Sequence, residues 1–144
     1  MRLLVAFDGS EGAQAALREA ATLARETSAE VVLLRVLNPL TDAADVVAPT
    51  TAEAMVVVRQ QVQDALTDAA TAVALDSART TIDVVEVERG EDYAEAIERI
   101  AAERAATMIV ISSRRAASVL GAVLGSVTAH VIRNAPCPVL VVRE

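Results

Sequence analysis

Short apolar segments alternate along this chain with segments whose apolar residues recur at helical spacing. Four of the short segments are rich in valine, leucine and isoleucine, as buried strands are: Arg2–Phe7, Glu30–Leu37, Thr107–Ile111 and Pro138–Arg143. A fifth, Thr80–Glu88, mixes polar and apolar residues and suits a strand near a sheet edge. Strands that alternate with helices join through right-handed crossovers. The pattern therefore predicts a doubly wound α/β fold, with a parallel sheet covered on both faces.

Four helices are predicted between these strands. The first spans Glu11–Thr27 and follows Asp8-Gly9-Ser10, a sequence typical of a turn that ends in a helix N-cap. The third spans Asp92–Arg104 and the fourth spans Ser126–Arg133. The segment Leu40–Thr50 is predicted to be a surface loop. The second helix has an apolar stripe at i, i+3, i+4 and i+7 spacing, formed by Met55, Val58, Val62, Leu66, Ala69 and Val73.

The size and composition of the chain disfavour several classes of protein. At 144 residues, one domain over residues 1–144 is the simplest organisation. The net charge is −7 and the only aromatic residues are Phe7 and Tyr93. The chain thus lacks the basic surface and the stacking side chains of a nucleic-acid-binding protein. No apolar run is long enough to cross a bilayer, and the N-terminus is unlike a signal peptide. We therefore expect a cytoplasmic protein without membrane or nucleic-acid partners.

Groups suited to catalysis or metal binding are few. His130 and Cys137 are the only histidine and cysteine, too few for a zinc site of the usual kind. Cys137 suits a small buried hydrophobe, and His130 suits a solvated or interface residue. The acidic pair Glu91-Asp92 is expected in the first turn of a helix, where negative charge is favourable. Because no Ser/His/Asp, Cys/His or metal-ligand set is found, the sequence predicts a protein that is not an enzyme.

Three separate stretches are expected to meet at one edge of the sheet. Ligands of a doubly wound sheet bind beyond the carboxyl ends of its strands, where the strand order reverses. Asp8 follows the first strand, Ser112–Arg115 follow the fourth, and Gly125-Ser126 opens the next helix. A helix N-terminus has unpaired N–H groups that suit a phosphate, and the hydroxyl groups of Ser126 and Thr128 would add donors. The alternative is that Ser126 only caps the helix.

These residues and their surroundings resemble the universal stress protein family. The resemblance covers essentially the whole chain and is carried by four stretches: VAFDGSEGAQAAL, VVLLRV, GEDYAEAIERIAAERAATMIVISSR and GSVTAHVIRNAPCPVLVVR. It implies a sheet of five parallel strands in the order 3-2-1-4-5. It also implies a homodimer formed by pairing of the last strands, here Pro138–Arg143. An exposed apolar strand edge is of the kind that takes up a partner.

ATP-binding members of that family carry Gly-x2-Gly-x9-Gly followed by Ser or Thr, and this chain keeps only the end of the motif. Gly125-Ser126 match it, whereas Ser112 and Arg115 stand where the first two glycines would be. The resemblance implies a set of nucleotide-binding positions: Asp8 and Val36 near the base and ribose, Ser112, Arg114 and Arg115 at the loop, and Gly125, Ser126, Val127 and Thr128 at the phosphates. If position 115 requires φ > 0, an arginine there costs about 1–2 kcal/mol.

Two interpretations of the replaced glycines are open. Arg114 and Arg115 are either solvated loop residues or ligands that grip phosphates in place of main-chain donors. The first interpretation is a dimeric regulatory protein that has weakened or lost nucleotide binding and requires no cofactor. The second is a protein that binds ATP or AMP, with Mg²⁺ or Mn²⁺ on the phosphates and at most slow ATP hydrolysis. An unrelated small α/β enzyme is disfavoured by the missing catalytic groups.

Overall fold

A computed structural model of the chain describes residues 1–113 and 125–143. Its strands and helices alternate along the chain as predicted. In chain order they are β1 (Arg2–Ala6), α1 (Glu11–Thr27), β2 (Glu30–Leu37), α2 (Pro39–Asp42), α3 (Thr51–Ala72), β3 (Thr80–Glu86), α4 (Tyr93–Glu103), β4 (Met108–Ser112), α5 (Ser126–Asn134) and β5 (Val139–Val142). A single turn of 3₁₀ helix, Ser77–Arg79, precedes β3.

The strands of the described residues form one parallel sheet in the order β3-β2-β1-β4-β5, which confirms the predicted topology. β1 lies at the centre, because Leu4 pairs with Val32 of β2 on one side and with Ile109 of β4 on the other. The chain winds outward from β1 to β3, returns, and then continues through β4 to β5. The strand order therefore reverses between β1 and β4.

Two layers of helices bury the two faces of the sheet. On the face covered by α1 and α3, Leu3, Val5 and Leu33 are fully buried. On the face covered by α4 and α5, Leu4 and Ile109 are fully buried. The predicted inward side of α4 is confirmed, since Ile97, Ile100 and Ala101 are all buried. The alternation of side chains along β1 thus supplies both halves of the core.

The helix α1 presents an alanine face to the sheet. Ala13, Ala16 and Ala20 are buried in the same cluster as Val5 of β1 and Val110 of β4. Methyl side chains leave little between the helix backbone and the strands, so α1 packs closely across both of them.

The long helix α3 spans 22 residues and buries a single stripe. Met55, Val58 and Leu66 are buried, and Val62, Ala69 and Val73 are partly buried, which confirms the predicted stripe. Its other side is exposed. Within residues 1–113 and 125–143, no helix is long and apolar enough to cross a membrane.

Polar side chains fix the start of three helices. Ser10 Oγ accepts the N–H of Ala13 at 3.2 Å, which confirms the predicted N-cap of α1. Thr50 caps α3 and Asp92 caps α4 in the same way, by accepting the N–H three residues on. Each cap of this kind stabilises a helix by about 0.5–2 kcal/mol.

The predicted loop Leu40–Thr50 is wrong at its beginning, because the short helix α2 occupies Pro39–Asp42. Proline at the first helical position has its φ already fixed near the helical value. In addition, Asn38 Oδ1 accepts the N–H of Leu40 at 3.0 Å and so caps the helix. A loop-like sequence of asparagine and proline therefore starts one helical turn.

Two predictions about helix starts are also wrong. Glu91 lies outside α4, since Asp92 is the N-cap and the helix begins at Tyr93. The alternative that Ser126 caps α5 fails as well. The N-cap is Gly125, which has no side chain with which to cap, and Ser126 is the first helical residue.

Candidate functional site

The candidate site is the crevice at the carboxyl ends of β1 and β4, where the strand order reverses. Val5 pairs with Val110, so the two strands end at the same level, and Asp8 and Ser112 lie at this edge of the sheet. The helix after β1 lies on one face of the sheet, and α5 lies on the other. The helices that follow the two strands thus lie on opposite faces of the sheet, which is where a doubly wound sheet is expected to bind a ligand.

Asp8 lies on one side of the crevice, in the turn between β1 and α1. The side chain is exposed, and its Oδ1 accepts the N–H of Ser10 at 3.0 Å. Gly9 between them has φ +83°, a left-handed conformation that glycine adopts without strain. The turn therefore fixes the carboxylate at the end of β1, which is the position expected of a residue that contacts a ligand in the crevice.

The start of α5 lies on the other side of the crevice. The first helical hydrogen bond runs from the N–H of Ala129 to the carbonyl of Gly125, at 2.9 Å. The N–H groups of Ser126, Val127 and Thr128 precede that bond, so they lie at the positive end of the helix dipole. Ser126 is exposed, with its hydroxyl not engaged as a cap. This helix end is chemically suited to a phosphate.

The side-chain hydroxyl of Thr128 is not available to bind a phosphate. Its hydroxyl donates to the carbonyl of Ser112 at 2.9 Å, and the residue is only 5% exposed. The N–H of Ser113 bonds to Val142 of β5, so the carbonyl of Ser112 points toward β1 and the crevice. Thr128 thus fastens α5 to the end of β4. Its N–H, rather than its hydroxyl, is the donor left at the helix end.

Two other predicted positions contribute to the core beside the crevice. Val36 is 6% exposed and belongs to the cluster beneath α4 and α5, together with Leu34 and Ile97. Val127 is partly buried against the same cluster. The contacts expected of Val36 with a base and of Val127 with a phosphate stay predictions.

The loop that follows β4 is described only at its first residues. Ser112 is half-buried and ends the strand. Ser113, which was placed at this strand end but not among the expected nucleotide-binding positions, is 4% exposed and is one of two buried polar residues in the described chain. Its position directly after an apolar strand was the only sequence signal for this burial. Arg114 and Arg115 lie outside the described residues.

A polar cluster beyond the end of β2 was missed by the sequence analysis. The carboxylate of Asp42 accepts the N–H of Asn38 at 2.6 Å and the hydroxyl of Tyr93 at 3.4 Å. Arg35 Nη2 lies 3.4 Å from Asp42 Oδ1. Burial raises the pKa of the Tyr93 hydroxyl, and the negative charge of Asp42 raises it further. The cluster fixes α2 beside the strand that carries Val36.

His130 and Cys137 both make contacts that contribute to the packing of the fold. His130 Nδ1 lies 2.7 Å from Glu98 Oε1, so the pair links α5 to α4. Cys137 is half-buried beside the core under these helices, and burial raises the pKa of its thiol. In the part of the chain that the structure describes, no group of three or more His, Cys, Asp or Glu side chains is placed to hold a metal ion.

Comparison with known proteins identifies the family. The model of the universal stress protein family matches residues 1–143. The chain belongs to the universal stress protein family. This agrees with the strand order of the sheet. A comparison with curated protein sequences found no significant match.

Solved structures of family members superpose over nearly the whole chain. UspA from Lactobacillus plantarum is 27% identical with a TM-score of 0.76, covering 99% of this chain and 97% of that one. A family member from Burkholderia pseudomallei is 30% identical with a TM-score of 0.68, covering 98% and 94%. The universal stress protein of Archaeoglobus fulgidus in complex with dAMP is 24% identical, with a TM-score of 0.65 and coverage of 98% and 96%. The last likeness shows the fold alone.

The bond between Thr128 and Ser112 gives a first prediction. Thr128→Val keeps the shape of the side chain but leaves the carbonyl of Ser112 without this donor. We expect the free energy of unfolding to fall by about 1–3 kcal/mol, measured by urea denaturation. The control is Thr67→Val, whose hydroxyl bonds to Gln63 on the exposed side of α3. Equal losses in the two variants would contradict the role given to Thr128.

The Tyr93 hydroxyl gives a second prediction. Tyr93 is the only tyrosine and the chain has no tryptophan, so ultraviolet absorbance reports its ionisation directly. We expect a midpoint above the ordinary pKa of about 10. The folded state disfavours the ionised form, so the free energy of unfolding should decrease as the pH rises above that value. Asp42→Asn should lower the midpoint, because it removes the second cause of the shift.

The control for this titration is Asp45→Asn, which makes the same charge change at an exposed position of the same segment. Its midpoint should match that of the unaltered protein. A midpoint that moves equally in both variants would mean that the general charge of the chain, rather than contact with Asp42, shifts the tyrosine.

Proposed function

We propose that this universal stress protein is a dimeric, non-catalytic regulator whose crevice holds adenine nucleotides weakly or not at all. The observation that carries the proposal is that only one part of the family's nucleotide-binding motif is kept in this chain. The end of the glycine motif, Gly125-Ser126, is kept and lies at the start of α5, where main-chain N–H donors are available. The first two glycines of the motif are replaced by Ser112 and Arg115. The hydroxyl of Thr128 is occupied by the carbonyl of Ser112. A phosphate would thus receive hydrogen bonds only from groups at the start of α5.

The chemistry of the described residues favours regulation over catalysis. The ring of His130 is paired with Glu98, and burial raises the pKa of the thiol of Cys137. Neither group lies at the crevice between β1 and β4. A cytoplasmic location and a single domain over residues 1–144 belong to the same proposal.

The proposed dimer forms through the edge of β5. The N–H of Ile109 donates to the carbonyl of Pro138, and that of Ser113 donates to the carbonyl of Val142. Because main-chain groups alternate along a parallel strand, Val139 and Val141 direct theirs away from β4. An apolar edge of this kind pairs with another strand. The proposed occupant is β5 of a second copy.

A second candidate is favoured by the helix end itself. The N–H groups of Ser126, Val127 and Thr128 form a site suited to phosphate whatever precedes them. Asp8 and Val36 would then lie near the ribose and base, and Arg114 or Arg115 would replace the lost main-chain donors. The dAMP complex of the archaeal protein supports adenine nucleotides as the ligand class for this fold. In this candidate Mg²⁺ or Mn²⁺ would be carried by the phosphates, and slow ATP hydrolysis would belong to it.

Calorimetric titration with ATP, AMP and cyclic AMP, with and without Mg²⁺, separates the two candidates. For the first we expect no binding tighter than about 1 mM, or about −4 kcal/mol. Arg115→Gly should then raise the affinity for ATP, because it restores a glycine of the family motif. Arg89→Gly, at an exposed position outside the crevice, is the control for the loss of charge.

The opposite result would overturn the first candidate. Tight binding of ATP by the unaltered protein, lost in both Ser126→Ala and Asp8→Ala, would establish a nucleotide-binding member. If Arg115→Gly then lowered the affinity, the arginine would be a ligand of the phosphates.

The dimer is tested by Val141→Pro. The N–H of Val141 points away from β4, so proline removes an edge donor and leaves the bonds to β4 in place. We expect the mass measured by light scattering to fall to that of one chain. Val141→Thr keeps the donor and should remain dimeric. An unchanged mass in the folded Val141→Pro protein would place the interface elsewhere.

A further inference from the structure

The other edge of the sheet is formed by β3, and its outward main-chain groups can be identified. The N–H of Val87 donates to the carbonyl of Leu37 at 2.9 Å, so residue 87 bonds toward β2. Groups alternate along a parallel strand, so Val84 and Glu86 direct their N–H and C=O groups away from β2. Such groups form a template on which another chain can add a strand.

An arginine from α3 covers the first of these outward carbonyls. Arg59 Nη1 donates to the carbonyl of Val84 at 2.6 Å. Its Nη2 lies 3.3 Å from Oε1 of Glu86, on the same strand. The guanidinium therefore lies along the edge from the face of the sheet that α3 covers.

An arginine from α4 reaches the second outward carbonyl from the opposite face. Arg99 Nη2 lies 3.5 Å from the carbonyl of Glu86. Its guanidinium is held by Glu91 through two bonds, Nε to Oε2 at 2.9 Å and Nη2 to Oε1 at 3.0 Å. The side chains are 23% and 12% exposed, and the pKa of Glu91 is lowered chiefly by its hydrogen bond from Arg99. A bidentate, half-buried pair of this kind fixes the guanidinium in place.

The two edges of the sheet thus differ in chemistry. β5 is the sequence VLVV, without a charged side chain. β3 carries Asp83 and Glu86, each paired with an arginine. A second copy of the chain could pair with β5 by main-chain bonds alone. At β3 it would have to displace the guanidinium groups of Arg59 and Arg99 from carbonyls, which would leave Glu86 without Arg59 and Glu91 without Arg99.

We propose that Arg59 and Arg99 close the β3 edge against a second copy of this chain. Each takes an outward carbonyl that an incoming strand would need, and together they flank the edge from both faces. Strand addition is then excluded at β3, whatever happens at β5. The proposal concerns assembly and is independent of nucleotide binding.

The test is the double variant Arg59→Ala/Arg99→Ala, followed by light scattering over a range of protein concentrations. We expect its mass to rise with concentration to at least about twice that of the unaltered protein, because one further copy can add at each freed edge. The matched control is Arg18→Ala/Arg133→Ala, which removes the same charge at two exposed helical positions. Its mass should equal that of the unaltered protein at every concentration.

A conservative variant tests whether the edge is closed by hydrogen-bond donors at these two positions or only by the size of the side chains. Arg59→Lys/Arg99→Lys keeps a positive donor at each position and should keep the mass of the unaltered protein. If the alanine double variant is folded by circular dichroism and its mass is unchanged, the proposal is overturned. The same holds if the control pair assembles as readily as the alanine variant.

Hydrogen exchange locates the new contact. The amide groups of Val84 and Glu86 point outward, so they should exchange more slowly in the assembled variant than in its dilute form. Protection that appears only at other strands would overturn the proposal. If the double variant does not fold, Arg59→Ala alone keeps the pair of Arg99 with Glu91 and exposes the carbonyl of Val84. An unaltered mass for that folded variant is then the contradicting result.

Discussion

The burial of β1 is the constraint on which the rest of the structure depends. Leu3, Leu4 and Val5 have no exposed surface, and a neighbouring strand pairs with each side of β1. Both faces must also be covered, so α1 takes one face and α5, after β4, takes the other. The helices that follow these two strands therefore lie on opposite faces of the sheet. The crevice follows from the burial of the central strand, and its ligand chemistry depends on the residues at those strand ends.

The fold class could be predicted because most strands and helices carry a local sequence pattern of their own. The continuous apolar run of β1 and the i, i+3, i+4 stripe of α3 are local signals, and their alternation along the chain indicates a parallel sheet with right-handed crossovers. The strand order 3-2-1-4-5 was implied by the resemblance to the universal stress protein family. The start of α2 was missed for a different reason. A single side-chain bond from the N–H of Leu40 to Asn38, with Pro39 after it, turns a loop-like sequence into one helical turn.

The candidate site was predictable in position but less so in detail. The reversal of strand order in a doubly wound sheet places Asp8 and Ser126 at one edge, because each follows one of two neighbouring strands. The hydroxyl of Thr128 faces the carbonyl of Ser112, 16 residues away, and nothing in the local sequence specifies that contact. The same is true of Asp42 and Tyr93, which are 51 residues apart. Contacts of this kind depend on how the helices sit on the sheet.

The alanine face of α1 sets how closely this helix lies against the sheet beside the crevice. Ala13 lies three residues after the cap at Ser10, near the turn that carries Asp8, and it is buried against the sheet. The gap between helix and strands there is set by methyl groups, so a longer side chain would act as a wedge and lift that end of the helix. The distance between α1 and the strands beside the crevice is therefore set by buried alanines, which have almost no surface for a ligand to touch.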